Sequence, residues 1–238
     1  EVWAMFQRRL TDGFHYYLEK LGPLYYETLA DASCLDSFVR TDGPECTAVT
    51  FNGTSYIQRS GDLSGNADGK TGLVSFWIKL DGDDNARMTI YGNVDAYILV
   101  ERTTAGKWTV VGANSAGTVI LRMTSTTSYG AANGWHHVAM SWNLATGLGQ
   151  LVVNGQDDRA SGSILTNDNI DYTRAAHYIG QGTGGLVADV TQLYINFAAS
   201  LDLSLAANLH KLYSDGGKPV NLGSTGTGPT GGQPIIYL

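Results

Sequence analysis

Apolar residues recur at every second position in short bursts along this chain, and polar or glycine-rich stretches separate the bursts. The clearest case is Asn133 to Gln156, NGWHHVAMSWNLATGLGQLVVNGQ. Val138, Met140 and Trp142 fall on one face of a predicted strand, because successive side chains of a strand point to opposite sides. LATGLG is turn material. The β-branched run Leu151 to Val153 predicts a second strand, and Asn154-Gly155 is the signature of a tight hairpin turn. In LVSFWIKLDG both alternating sets are bulky, which predicts a central strand covered on both faces. Further strands are predicted in VTFNGTSYIQRS, ARMTIYG, AYILVER, KWTVVGAN, TVILRMTS, HYIGQ and LVADVTQLYIN. Their spacing of roughly 8–12 residues is that of a β-sandwich or barrel.

Two regions depart from this pattern. Residues 1–27 predict a hairpin, with aromatic-rich runs on either side of Thr11-Asp12-Gly13. In LDLSLAANLHKLYSDGG the leucines at 205, 209 and 212 recur at helical spacing; Asp202 or Ser204 is placed to cap the start and Gly216-Gly217 to stop it. The last segment is rich in Gly, Pro, Ser and Thr, a composition that predicts irregular or disordered chain. Its apolar end, PIIYL, predicts that it is pinned, either to this domain or to a neighbouring subunit. Three segments result: an N-terminal hairpin and linker over 1–46, a sandwich over 47–214 and a C-terminal arm over 215–238.

Composition narrows the choice of function. Thirty glycines and 16% charged residues suit an all-β protein with many turns. The net charge of −7 argues against nucleic acid as partner, since binding phosphates calls for a basic surface. No apolar run is long enough to span a membrane as a helix. A chain that opens on Glu1 reads as a processed product or a piece of a longer protein. Cys34 and Cys46 share one loop-like region, so a disulfide and two free thiols are both open.

The order of these features resembles the concanavalin A-like, laminin-G-type jelly roll. The residues that carry the resemblance are FNGTSYIQ, LVSFWIKLD, the hairpin GWHHVAMSWN with GQLVVNG, then HYIGQ, and LVADVTQLYIN with the helix ending KLYSDGG. It covers about residues 48 to 214. It implies an all-β, two-sheet antiparallel sandwich with one short C-terminal helix and an N-terminal β-hairpin extension. Fold alone does not fix activity, because this family holds lectins, adhesins, receptor modules and glycosidases. The tail KPVNLGSTGTGPTGGQPIIYL and the first hairpin resemble segments of tailed-bacteriophage particles. They imply a virion protein of the tail or capsid exterior, with other virion proteins and copies of itself as partners. An extracellular bacterial adhesion module is the alternative.

His136 and His137 are adjacent on a strand, so they face opposite ways and cannot act together on one atom. Retaining glycosidases need two carboxylates about 5–5.5 Å apart. Glu101 is the only glutamate after Glu45, and Asp189 stands alone on its strand, so no enzyme is expected. Gly65 to Thr71 is one residue short of a phosphate loop and precedes a strand, which makes it a surface loop. Calcium takes oxygen donors from acidic loops, and laminin-G-like domains often hold one at the rim. Asp81, Asp83, Asp84 and Asn85 are candidates, as is the stretch Asn167 to Asn169 with Asp171; a solvated acidic turn is the competing reading of each. A sugar presents a C–H face and hydroxyl edges, so its site needs an aromatic platform beside polar groups. Trp108, Tyr129 and Tyr172 stand near predicted turns and are the candidates, whereas Trp77, Trp135 and Trp142 are expected in the core.

Overall fold

The computed structural model describes residues 44, 46–61, 63, 67–82, 84–182 and 184–238. The hairpin expected over 1–27, Cys34, Gly65, Asn66 and the calcium candidate Asp83 lie outside these residues. Pro44 to Leu238 form one compact unit.

Among the described residues fourteen strands build it: β1 (Val49–Asn52), β2 (Ile57–Arg59), β3 (Thr71–Leu80), β4 (Met88–Asn93), β5 (Ile98–Arg102), β6 (Trp108–Ala113), β7 (Val119–Thr124), β8 (His136–Asn143), β9 (Leu148–Val153), β10 (Gln156–Asp157), β11 (Ile164–Leu165), β12 (His177–Ile179), β13 (Val187–Asn196) and β14 (Ile236–Tyr237). The first sheet runs β1-β13-β3-β8-β9-β10, with β14 also on β13; the second runs β11-β7-β6-β5-β4-β12-β2. All of the pairings are antiparallel. This is the two-sheet sandwich that the alternating pattern predicted.

The period of two decides the core. Phe76 pairs with Val138 and Val74 with Met140 across β3 and β8, and all four are fully buried. They meet Val100, Val110 and Met123 of the second sheet in one hydrophobic cluster. The edge of Trp108 packs against the Phe76 ring at 5.5 Å and 75°, a favoured aromatic geometry. Trp142 donates its indole N–H to the Tyr172 hydroxyl at 2.9 Å, and that hydroxyl donates to the Thr71 carbonyl at 2.8 Å. Tyr172 in turn stacks on Phe197 at 4.1 Å. Gly72 makes this possible: a Cβ there would stand 2.1 Å from the Trp142 ring.

The Asn154-Gly155 turn forms as expected, both residues having positive φ (48° and 78°), and joins β9 to β10. The helix is shorter than the leucine spacing predicted, a single turn over Ala206–Leu209 (α1). Leu205 is 55% exposed, and Leu203 and Leu212, on either side of α1, are the leucines that bury. Asp202 does not cap the turn either. Its carboxylate accepts from Gln150 and Ser204.

The segment from Leu201 onward covers the outer face of the first sheet. Leu203, Leu212 and Leu222 form a second apolar cluster there with Leu73, Ala139, Val152 and Tyr194. The Gly- and Pro-rich tail is irregular in backbone yet ordered. Thr230 is held by Tyr194 and Asn196, and β14 pairs with Tyr194 and Ile195. It is pinned to its own domain and belongs to the compact unit. Among the described residues no helix is long and apolar enough to cross a membrane.

Candidate functional site

On the outer face of the first sheet, Trp77 of β3 lies opposite His137 of β8 and Thr191 of β13. The indole of Trp77 stacks on Tyr213 at 5.7 Å and leans on His137 at 5.2 Å. One margin of this face is left uncovered, and a cleft of about 360 Å³ opens there. Its walls include Trp77, Trp135, Thr191, Cys46, Lys218 and Pro219.

Trp135 stands just before β8, after a turn through Asn133 and Gly134. Gly134 has φ 61° and ψ −151°, a conformation that glycine adopts without a Cβ clash. Trp135 is two residues from His137 and so falls on the same outer side of the strand, and it is 43% exposed. Trp77, Trp108 and Trp142 are at most 6% exposed. The expectation that Trp135 lies in the core is therefore corrected. The cleft offers a rigid apolar plate, the Thr191 hydroxyl and the Lys218 ammonium. The Thr191 hydroxyl donates to the Thr47 carbonyl at 2.9 Å, which leaves its oxygen able to accept. Cys46 is unbridged and donates to the Pro44 carbonyl. Burial pushes its thiol pKa up, against an opposing hydrogen bond with Thr191, so it remains a neutral wall residue.

The aromatic residues expected at a sugar site sit elsewhere. Trp108 and Tyr172 are fully buried, so neither presents a ring face to a ligand. Tyr129 is half-buried. It stacks on His136 at 5.1 Å and donates its hydroxyl to Asp158 at 2.7 Å. Asp158 also accepts from the Thr126 and Thr127 hydroxyls and the Thr127 N–H. Burial pushes the Asp158 carboxyl up, and these hydrogen bonds together outweigh it and hold the group below the usual carboxylate range. Burial first, and then the Asp158 carboxylate, raise the Tyr129 phenol. Tyr129 is thus part of a closed network.

The histidines separate as strand alternation requires. His136 packs on Trp108 and Tyr129 between the sheets, while His137 bonds Ser75 at 2.8 Å beneath the outer face. Burial, reinforced by the neighbouring His136, depresses the His137 pKa to about 3. Burial likewise lowers that of His136, against a hydrogen bond to the Gly134 carbonyl. Glu101 lies on β5 of the second sheet, 3.5 Å from the Arg87 guanidinium, and Asp189 on β13 of the first, bonded to Thr50. Carboxylates on different sheets do not form the close pair that retaining chemistry needs.

The oxygens of the calcium candidates already have partners or face solvent. Arg102, at the end of β5, is 1% exposed. Its guanidinium donates to the carbonyls of Tyr129 (2.6 Å), Ala86 (3.0 Å) and Asp84. The Asp84 carboxylate accepts from the Ala131 N–H at 2.7 Å. A resident positive charge and occupied carbonyls do not suit a second cation, and Asp81 and Asn85 are exposed to solvent. In the second loop Lys70 donates to Asn167, Asn114 to Asp168 and Arg174 to Asp171. These residues do not fit calcium. Among the described residues no group of three or more His, Cys, Asp or Glu converges.

Two other hollows lack an exposed indole. A larger one, about 510 Å³, runs along Gly147 to Gln150 and α1 without an aromatic wall. Size matters less here than a plate beside polar groups. A groove of about 290 Å³ between β2 and β14 has Tyr178 and Tyr237 beside Gln58 and Arg59, but it is smaller, mainly aliphatic and has no exposed indole.

Comparison with known proteins bears on the fold. No curated protein matches the chain. Among solved structures, a protein of Bacteroides ovatus ATCC 8483 provisionally assigned to carbohydrate binding is 16% identical, with a TM-score of 0.52 over 68% of this chain and 46% of that one. The binding domain of botulinum neurotoxin serotype D is 17% identical, with a TM-score of 0.50 over 75% of this chain and 48% of that one. The native heptameric SAP-like pentraxin of Limulus polyphemus is 14% identical, with a TM-score of 0.48 over 66% and 77%. The chain thus spans about half the length of the first two. The profile of the concanavalin A-like lectin/glucanases superfamily, laminin-G type, matches residues 51–196, more than half of the chain, and with its two antiparallel sheets the protein belongs to that superfamily.

Proposed function

We propose that this protein is a non-catalytic glycan-binding component of a tailed-phage particle, with the Trp135 cleft as its sugar site. The observation that carries the sugar reading is the 43% exposure of Trp135 at the mouth of a cleft that also holds Thr191 and Lys218. An indole presented in this way matches the C–H face of a pyranose, and the polar groups match its hydroxyl edges. The lectin-type fold supports it, as does the carbohydrate assignment of the Bacteroides relative. The phage reading rests on the likeness of the two ends of the chain to virion segments. On a virion, copies held together would turn weak individual sites into firm attachment.

The test is a glycan array followed by calorimetry on the full chain and on Trp135→Ala. Loss of the plate is expected to weaken binding at least about tenfold, since burying an indole is worth more than about 1.4 kcal/mol. Equal affinity of the two proteins would move the site elsewhere. Immunogold microscopy of purified particles addresses location; absence of label would favour the extracellular adhesion module instead.

A further inference from the structure

Three chain segments meet at the rim near Trp135 and converge on one buried side chain. The first is the loop after β3, through the carbonyls of Asp84 and Ala86. The second is the end of β5, which supplies Arg102. The third is the loop Tyr129 to Trp135, whose Tyr129 carbonyl also accepts from Arg102. Carbonyl oxygens gathered around a positive charge, with the Asp84 carboxylate 4.0 Å away, have the make-up of a cation's shell.

The backbone is shaped to let the shell close. At Gly130 a Cβ would stand 2.7 Å from the Asp84 carboxylate oxygen. At Gly106, where φ is 76°, a Cβ would stand 3.1 Å from the Tyr129 carbonyl and 3.3 Å from the Arg102 guanidinium. The Gly106 carbonyl accepts from the Tyr129 N–H at 2.8 Å. From Tyr129 the chain runs through Gly130 to the short 3-10 turn Ala131–Asn133, whose first N–H is held by Asp84. Gly134 and Trp135 follow directly. The stretch that leads into Trp135 is therefore held at one end by Arg102 and Asp84, and at the other by the start of β8.

We infer that Arg102 is the built-in cation of this rim: with Asp84 it positions the loop that carries Trp135, so the exposed indole is set without a divalent metal. A guanidinium suits this place because it is always charged and its planar fork addresses several carbonyls at once; lysine, a single point charge, cannot do the same. The link to sugar binding rests on the reading of the cleft given above, whereas the link to the placement of Trp135 does not.

The test uses the full chain labelled with 5-fluorotryptophan. The Trp135 resonance is assigned with Trp135→Phe, and the buried Trp142 serves as the internal reference. In the wild type, excess EDTA and millimolar calcium are each expected to leave the Trp135 resonance and the affinity for any array-selected sugar unchanged. Asp84→Ala and Arg102→Ala are expected to shift or broaden Trp135, leave Trp142 in place and weaken sugar binding about tenfold. Low concentrations of guanidinium ion are expected to restore Trp135 in Arg102→Ala and to do nothing for Asp84→Ala. Should Arg102→Ala fail to fold, Asp84→Ala carries the test, since that side chain is 54% exposed. A wild-type Trp135 resonance that moves with EDTA, or variants that leave it unmoved, would overturn the inference. A resonance that responds as expected in a protein that binds no sugar would uphold the clamp and remove the sugar reading.

Discussion

His137 ties the stability of this fold to pH in a way that can be worked out in advance. Its ring is wholly buried, bonds Ser75 through Nε2 at 2.8 Å, and its pKa falls from the ordinary 6.5 to about 3. A lowered folded pKa means that the unfolded chain takes up a proton first. The stability due to His137 is thus complete above pH 6.5 and is lost as pH falls from there toward 3. The slope in that window is about 1.4 kcal/mol per pH unit for one such group. At pH 5, well inside the window, the loss relative to pH 8 is about 2 kcal/mol. This figure barely depends on the folded value so long as that lies below about 4. The assay is urea unfolding of wild type and His137→Gln at pH 8 and pH 5. Other titrating groups contribute to both proteins and largely cancel in the double difference. His137→Gln is expected to be less stable at pH 8, because the ring packing on Trp77 and Tyr213 is lost, and to lose about 2 kcal/mol less than the wild type on going to pH 5. An identical pH response of the two proteins would refute the reasoning.

Further outcomes follow from the packing. Gly72→Ala is expected to cost about 3 kcal/mol or more in urea unfolding, since its Cβ collides with the fully buried Trp142 ring; Gly61→Ala, with nothing within 4 Å, is the near-neutral control. Asp158→Ala leaves Tyr129 and two threonines without their acceptor and is expected to cost about 2–4 kcal/mol at neutral pH. Because the folded Asp158 carboxyl sits below its ordinary value, its contribution is present above that value and lost in acid, so the deficit of the variant narrows as the pH falls below 4. Deleting residues 233–238 removes β14 and the hydrogen bonds of Ile235 and Leu238 to β13. Differential scanning calorimetry is expected to show a lowered Tm, equivalent to about 2–4 kcal/mol; an unchanged Tm would show that the tail adds nothing to the fold.

The strands β8 to β10 are legible because their signals are local. Alternation places Val138, Met140 and Trp142 inward and splits His136 from His137, and Asn154-Gly155 announces the turn from β9 to β10. The helix after Asp202 is a single turn where the spacing predicts more: leucines at helical spacing look the same whether they line a helix or bury from separate turns, as Leu203 and Leu212 do. Two of the three aromatic candidates for the sugar site, Trp108 and Tyr172, stand near turns in the chain yet point into the core. Trp135 adjoins a strand, and that adjacency alone predicts a core residue. The cue to the contrary is parity: Trp135 is an odd number of residues from the inward Val138, Met140 and Trp142, which puts it on the outer face with His137.

What the sequence by itself determined is the set of strands and which side chains of each share a face, because the pleat repeats every two residues whatever the surroundings. It determined as well that the net charge is acidic and that the last residues, PIIYL, would be held. Only the tertiary structure decided what covers each face. The Gly- and Pro-rich tail closes over the first sheet and leaves a cleft beside Trp135, and the carbonyls of an acidic loop face Arg102, whose place in the chain is 16 to 18 residues away. Coverage and charge pairing of this kind join segments distant in sequence, and no local pattern encodes them.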